Sequence, residues 1–197
     1  MGRDGQIPLV VTDLDGTLIP DDSLRLLLAR QLRHGPKRVQ LILWTVARVA
    51  RLASPARLLA AIVRSLRARP DYEDAVRSFA SELREQLDQD LLADIRASAE
   101  PGATVVLCSA SPEDYVVPLA RLLGWEAVCS TVAPEGRVFR CYGRAKKEAI
   151  LARFPASRYR YLMSFADSPS DAPLREIFER CRIVRHGKRP AQKPPSI

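Results

Sequence analysis

The chain has 197 residues, of which 47% are hydrophobic and 27% charged, enough to bury a sizeable core without disulfide or metal staples, which excludes disordered and fibrous classes. A net charge of +8 is unevenly placed: residues 23–70 contain eleven Lys or Arg and no acid, so that stretch carries +11 and the rest sums to −3. The four cysteines, Cys108, Cys129, Cys141 and Cys181, show no C-x-x-C spacing, which argues against a zinc site or a secreted disulfide framework.

In chain order, residues 1–9 include Arg3, Asp4 and Pro8 and show no apolar signal core. Ile7 to Leu14 (IPLVVTDL) is apolar and β-branched, ends in acids and is followed by Gly16, which predicts a buried strand entering a loop. From Ser23 to about Ala99 strand-like runs disappear and 3.6-residue periodicity takes over. Leu58, Leu59, Ile62, Val63 and Leu66 share one helix face, and Arg57, Arg64 and Arg67 another. Breaks at His34-Gly35-Pro36, Ser54-Pro55 and Arg69-Pro70-Asp71 divide this block into four or five helices. Its longest strongly apolar run, Val39 to Ala47, is less than half of the roughly 20 residues that span a bilayer. The expectation is a reduced, cytoplasmic, soluble protein.

Thr104 to Cys108 (TVVLC), after Pro101-Gly102, predicts a second strand, and Glu113 to Leu123 a helix. Ala127 to Val132 and Arg137 to Tyr142 flank Pro134-Glu135-Gly136 as a hairpin. Helical patterns at Lys146 to Phe154 and Pro173 to Arg180 alternate with strand candidates at Arg160 to Ala166 and Cys181 to Val184. Such alternation argues for an α/β fold, a Rossmann-like, mostly parallel sheet covered on both faces. Residues 1–20 and 100–190 are expected to form the sheet core, 21–99 an inserted helical bundle domain, and 187–197, with three prolines and three Lys or Arg, a flexible tail.

The chemistry gathers at strand ends, where open α/β sheets bind ligands. Asp13-Leu14-Asp15-Gly16-Thr17 sets two carboxylates at i and i+2 on an extended segment, pointing the same way, before a glycine that permits a sharp turn. One carboxylate can attack while the other gives and takes a proton; the alternative is a pair of turn and capping acids. Ser109, followed by Ala110, Ser111 and Pro112, puts a hydroxyl and backbone N–H groups at a helix start, an arrangement suited to a phosphoryl oxygen. Ser111 with Asp114 also fits an ordinary helix cap. Lys146, in Gly143-Arg144-Ala145-Lys146-Lys147, opens a helix where it offsets anionic charge or simply faces solvent. Asp167 and Asp171 follow the strand that ends at Ala166. Four acids converging on one crevice call for a hard cation, and Mg²⁺ fits because it prefers oxygen ligands and retains waters for a phosphate.

With these four pieces in order, the chain resembles the haloacid dehalogenase superfamily of phosphohydrolases, in the phosphoserine-phosphatase-like branch that carries a helical cap after the first strand. The match runs from Pro8 to about Val184: D-L-D-G-T at Asp13 to Thr17, the serine motif at Ser109, the lysine motif at Lys146 and D-S-x-x-D at Asp167 to Asp171. The resemblance implies that Asp13 is the nucleophile that forms an aspartyl-phosphate and Asp15 the acid/base. It implies that Thr17, Ser109 and Ala110 meet the substrate, with Ser109 holding a phosphoryl oxygen, and that Lys146 steadies the phosphoryl group and the nucleophile. Asp13, the backbone carbonyl of Asp15, Asp167 and Asp171 would bind Mg²⁺. Lys146 is favoured over Lys147 because Ala149 and Ile150 follow it at helical spacing. Related dehalogenases lack the second acid, so Asp15 points to a phosphatase. Ala166 stands where the family often has glycine, and Ala110 and Ser111 follow the serine where phosphoserine phosphatases show glycines, which argues against phosphoserine as substrate.

The resemblance assigns the +11 segment to the cap, where substrate is selected. Trp44, Arg48 and Arg51 are spaced as one aromatic and basic stripe beside Leu41, Ile42, Leu43 and Val46. Two readings stand: apolar residues packed inside the bundle with arginines paired to the acids of residues 71–100, or a peripheral contact with an anionic membrane or contact with a large anionic or lipid-linked substrate. No nucleic-acid partner is expected, since no binding motif occurs and aromatics make up 6%. The implied activity is Mg²⁺-dependent hydrolysis of a small or glycan- or lipid-linked phosphomonoester. A phosphotransferase or mutase with the same intermediate, or a noncatalytic membrane-surface protein of the same fold, are the rival readings. Oligomeric state is not encoded in any of these features.

Overall fold

The computed structural model describes residues 5–34, 38–50, 52 and 54–186. The segment 187–197, expected as a tail, and Arg51 lie outside the described residues.

Strand β1 (Ile7–Thr12) leads into five helices, α1 (Ser23–His34), α2 (Arg38–Val49), α3 (Pro55–Arg67), α4 (Tyr72–Glu85) and α5 (Gln89–Ser98). The chain then alternates: β2 (Thr104–Pro112), α6 (Glu113–Leu123), β3 (Glu126–Val132), β4 (Val138–Phe139), α7 (Arg144–Arg153), β5 (Tyr159–Ala166), α8 (Ala172–Arg175) and β6 (Arg180–Ile183). The expected α/β sheet is present, with order β4-β3-β2-β1-β5-β6, every pairing parallel except the β3–β4 hairpin. Successive strands run outward from β1 on one side, and β5 begins the other side, so the order reverses beside β1. That reversal opens a crevice at the carboxyl end of β1.

Side-chain alternation along the central strands builds two apolar layers. Val10 and Leu107 face one side, where they join Leu66, Phe79, Leu83, Tyr115 and Leu119 of the helices. Leu9, Val11, Val106 and Cys108 face the other, against Ile150 and Phe154 of α7 and Leu174 of α8. The helices between β1 and β2 therefore share an apolar core with the sheet. α4 packs along α6, where Phe79 meets Tyr115 edge to face at 5.0 Å. Polar locks add to this packing: Arg67 Nε donates to Asp114 Oδ1 at 2.7 Å and its Nη1 to the Val132 carbonyl at 2.6 Å, and Tyr72 Oη donates to Asp114 at 2.8 Å.

Local signals explain most helix boundaries. Ser54 caps α3 by accepting from the Arg57 N–H, with Pro55 at the first position, and Asp88 caps α5 by accepting from the Leu91 N–H. α6 ends at Gly124, whose φ of +72° is the left-handed conformation that stops a helix. The helix expected over Pro173 to Arg180 is cut to Ala172–Arg175. After it, the Ile177 and Phe178 N–H groups bond to carbonyls three residues back, and tight turns carry the chain into β6.

Of the expected Trp44–Arg48–Arg51 stripe the described residues include Trp44 and Arg48, and the apolar surface expected beside it divides. Leu41 is 1% exposed and Trp44 packs on the core, whereas Ile42, Leu43 and Val46 stand 49%, 65% and 60% exposed. Arg48 is half-buried. Packing inside the bundle thus holds for Leu41 and fails for its neighbours. The arginines divide as well: Arg30 pairs with Glu82 and Arg69 with Asp71, as the acids of residues 71–100 suggested, while Arg67 turns to Asp114 and Glu113 of α6. Among the described residues no helix is long and apolar enough to cross a membrane.

Candidate active site

At the end of β1 the Asp13 side chain is fixed by its own strand and by α7. Its Oδ1 accepts from the Leu14 N–H at 2.8 Å and lies 3.0 Å from Lys146 Nζ. Lys146, 3% exposed on the first turn of α7, also donates to both oxygens of Asp171, at 3.0 and 3.1 Å. Lys147 points away and pairs with Glu176 at the surface. One buried ammonium thus sits between two carboxylates. Burial, with Asp171 and Asp15 adding to it against Lys146, pushes the Asp13 carboxyl from 3.8 up to about 7. Burial works against the Lys146 charge, but Asp13 and Asp171 outweigh it and hold the amine protonated.

Asp15 lies in a different environment. Its Oδ1 accepts from the Ser23 N–H at the start of α1, at 2.6 Å, and its Oδ2 accepts from Ser111 Oγ at 2.7 Å, with Ser109 Oγ at 3.4 Å. Ser23 Oγ continues the chain to Ser111 Oγ and Tyr115 Oη, at 3.0 and 2.9 Å. Burial raises the Asp15 carboxyl above its ordinary value, and the Ser23 and Ser111 donors pull it partly back.

Gly16 turns the chain with φ +74°, and a Cβ there would come within 2.8 Å of Asp167 Cγ, so only glycine lets that carboxylate approach β1. Thr17 is fully buried and donates from Oγ1 to Asp167 Oδ1 at 3.2 Å. Asp171 closes a 3₁₀ turn, Pro169–Asp171, started by Ser168, whose Oγ accepts from the Ser170 N–H. Carboxylate oxygens of Asp13, Asp167 and Asp171 lie within 4.8 Å of one another. An all-oxygen set with one ammonium against several carboxylates suits a hard divalent cation. The Asp15 carboxylate faces the serines and is not in this group.

These residues border a cavity of about 300 Å³, whose walls also include Asp22, Leu24, Ala110, Arg140 and Tyr142. Of the residues expected at the site, the structure brings Asp13, Asp15, Ala110, Lys146, Asp167 and Asp171 to the cavity. Thr17, expected against substrate, instead holds Asp167. Ser109 is fully buried, and its Oγ accepts from the Ser111 N–H at 3.0 Å. Ser111 is not a helix cap: α6 has no side-chain cap, and the hydroxyl reaches Asp15.

Arg140 and Tyr142 are additions that the sequence reading missed; Arg140 stacks over the Tyr142 ring at 5.1 Å. The sequence placed both within the second strand of the hairpin, Arg137 to Tyr142, which the structure ends at Phe139, so that these two side chains follow β4. Ser130 fixes this wall, because its Oγ donates to the Ala110 carbonyl at 2.6 Å and accepts from the Cys141 N–H at 3.0 Å. All four cysteines are free thiols, and Cys108 and Cys141 Sγ lie 3.9 Å apart beneath the site.

The family model for haloacid dehalogenase-like hydrolases matches residues 10–176. No curated protein sequence matches the chain. Among solved structures, a Bordetella pertussis Tohama I protein of unknown function is similar at 20% identity, covering 89% of each chain with a TM-score of 0.68. A phosphoserine phosphatase solved as a phospho-aspartyl intermediate analogue is similar at 14% identity, covering 91% of this chain and 95% of that one, with a TM-score of 0.52. A phosphoserine phosphohydrolase-like protein from Francisella tularensis subsp. tularensis SCHU S4 is similar at 18% identity, covering 86% and 82%, TM-score 0.52. At these identities the likeness is one of fold.

Proposed function

The chain belongs to the haloacid dehalogenase-like hydrolases, and from that membership and the geometry at the end of β1 we propose that it is a Mg²⁺-dependent phosphomonoesterase working through an aspartyl-phosphate on Asp13. The observation that carries the reading is the division between two neighbouring carboxylates. Asp13 is held by Lys146 and the Leu14 N–H, while Asp15 is turned to Ser111 and the start of α1.

In the first step Asp13 Oδ2, the oxygen without a protein donor, attacks phosphorus. The bond from phosphorus to the ester oxygen breaks, and Asp15 gives its proton to that oxygen. In the second step water attacks phosphorus and passes a proton to Asp15, and the bond to Asp13 breaks to release inorganic phosphate. The raised Asp15 carboxyl supports its role as the protonated partner. Lys146 offsets charge on Asp13 and the incoming phosphoryl group. The backbone around Ser109 and Ala110 would meet phosphoryl oxygens.

Asp13, Asp167, Asp171 and the Asp15 carbonyl are the groups that would hold Mg²⁺. When bound, the ion supplies countercharge and Lewis-acid polarisation of the phosphoryl group. The phosphoserine phosphatase structure solved as a phospho-aspartyl intermediate analogue lends the same chemistry by analogy. In this reading α1–α5 act as the cap over the leaving group. Arg140, Tyr142, Leu24 and Asp22 on the cavity wall would choose among small, glycan-linked or lipid-linked phosphates.

The test is phosphate release from a panel of phosphomonoesters with and without Mg²⁺, beside Asp13→Asn. Release by the wild type that needs Mg²⁺ and disappears in the variant is expected. Equal release by both, or indifference to Mg²⁺, overturns the reading. Appearance of the phosphoryl group on an added alcohol in preference to water replaces hydrolase by phosphotransferase.

A further inference from the structure

The helical block leaves one apolar surface that the described residues do not cover. α2 packs on α1 and α3 through the side that carries Leu41 and Trp44. At about 100° per residue, Val39, Ile42, Leu43, Val46 and Val49 fall in a single arc on the opposite side. They stand 49–80% exposed, and the arc contains no charged residue. Single exposed apolar side chains are ordinary on a protein surface, whereas five in register along one helix mark a contact surface.

Charge identifies the occupant. The arc lies within the acid-free stretch of residues 23–70 that carries +11. The helices on which α2 rests each expose an arginine, Arg33 on α1 and Arg57 on α3, with no acidic partner among the described residues. Some surface arginines elsewhere are matched, as in Arg144 with Glu148 and Arg153 with Glu126. A second copy of this chain would bring two such positive segments together, and like charge opposes that association. An anionic bilayer satisfies both features at once: acyl boundary for the arc and lipid phosphates for the arginines. α2 has 12 residues, a length that suits lying in the interface and is too short to span it.

We infer that α2 docks the protein on anionic membrane surfaces, lying parallel to the bilayer with the Val39–Val49 arc at the headgroup boundary and Arg33 and Arg57 toward the phosphates. The inference stands apart from the catalytic reading, since none of these residues borders the cavity. α1 joins the two places: it begins beside the cavity with Leu24 and runs about 18 Å toward α2.

The experiment is flotation of the full chain with vesicles of phosphatidylcholine alone and of phosphatidylcholine mixed with phosphatidylglycerol, at low and high salt. Binding to the mixed vesicles that weakens with salt is expected. Leu43→Asp/Val46→Asp should lower it by about tenfold or more, with thermal midpoint and circular dichroism unchanged. Ile42→Gln/Val46→Gln, better tolerated in a helix, gives the same comparison if the aspartates unsettle the fold. Arg33→Glu/Arg57→Glu should remove the preference for anionic lipid.

Absence of wild-type binding to the mixed vesicles, or equal binding by both apolar-face variants, overturns the inference. A wild-type dimer that Leu43→Asp/Val46→Asp converts to monomer, without vesicle binding, overturns it in favour of a second copy.

Discussion

Lys146 Nζ stands 3.0 Å from Asp13 Oδ1, and the same ammonium bonds both oxygens of Asp171. One buried cation is thereby shared by two carboxylates from different strand ends, and neither carboxylate is fully compensated. The imbalance leads to predictions about acid, metal and fold.

The Asp13 carboxyl is raised from 3.8 to about 7, chiefly by burial, in the metal-free protein. Between pH 4 and 7 the folded chain then binds this proton more tightly than the unfolded chain. The contribution to stability is present in full below the unfolded value and is lost as pH rises through 7. The metal-free wild type should therefore lose thermal stability from pH 5 to pH 8, and Asp13→Asn should flatten that decline. In the proposed reading Mg²⁺ binds the ionised carboxylates, so it should raise the wild-type midpoint more at pH 8 than at pH 5. Thermal scans at both pH values check this, and a larger Mg²⁺ effect at pH 5 would refute it.

Gly16→Ala drives a methyl group into the Asp167 carboxylate and strains a positive φ. Weaker Mg²⁺ binding, by roughly tenfold or more, is expected in titration calorimetry. Unchanged affinity would mean that Asp167 does not hold the ion.

Ser111→Ala removes the 2.7 Å donor to Asp15. That bond favours the ionised carboxylate, so its loss moves the Asp15 carboxyl further upward. The basic limb of the kcat/KM pH profile should shift to higher pH, with turnover reduced about tenfold. Ser111→Thr should keep the profile in place. A uniform drop without a shift would assign Ser111 a packing role alone.

Arg67→Ala should destabilise the fold by about 2 to 3 kcal/mol in urea titrations, because Asp114, whose side chain is 0% exposed, would lose its cation. Tyr72 still donates to that carboxylate, so Tyr72→Phe added to Arg67→Ala should cost more than the sum of the separate changes.

Most of the sheet was readable because its signals are local. IPLVVT is apolar and β-branched over the whole of β1, and Glu113–Leu123 between Pro112 and Gly124 carries its own boundaries. The acids after β1 and β5 were also readable, since a strand end fixes where its acids go. Tertiary partners were not. Ser111 looked like a cap, and its actual partner, Asp15, is 96 residues away in sequence. Leu174, Ile177 and Phe178 have helical spacing, but successive three-residue turns satisfy that spacing equally well. In α2 the run of apolar residues announced burial, and only packing shows that Leu41 turns inward while Leu43 does not.

One hydroxyl ties the phosphate end of the cavity to its outer wall. Ser130 Oγ donates to the Ala110 carbonyl and accepts from the Cys141 N–H, between Arg140 and Tyr142. The backbone of this wall is therefore held before any ligand arrives, and little of its conformational entropy remains to be lost on binding. If this wall selects the substrate as proposed, changes of preference in this chain should come from the side chains at positions 140 and 142 and leave the backbone path as it is.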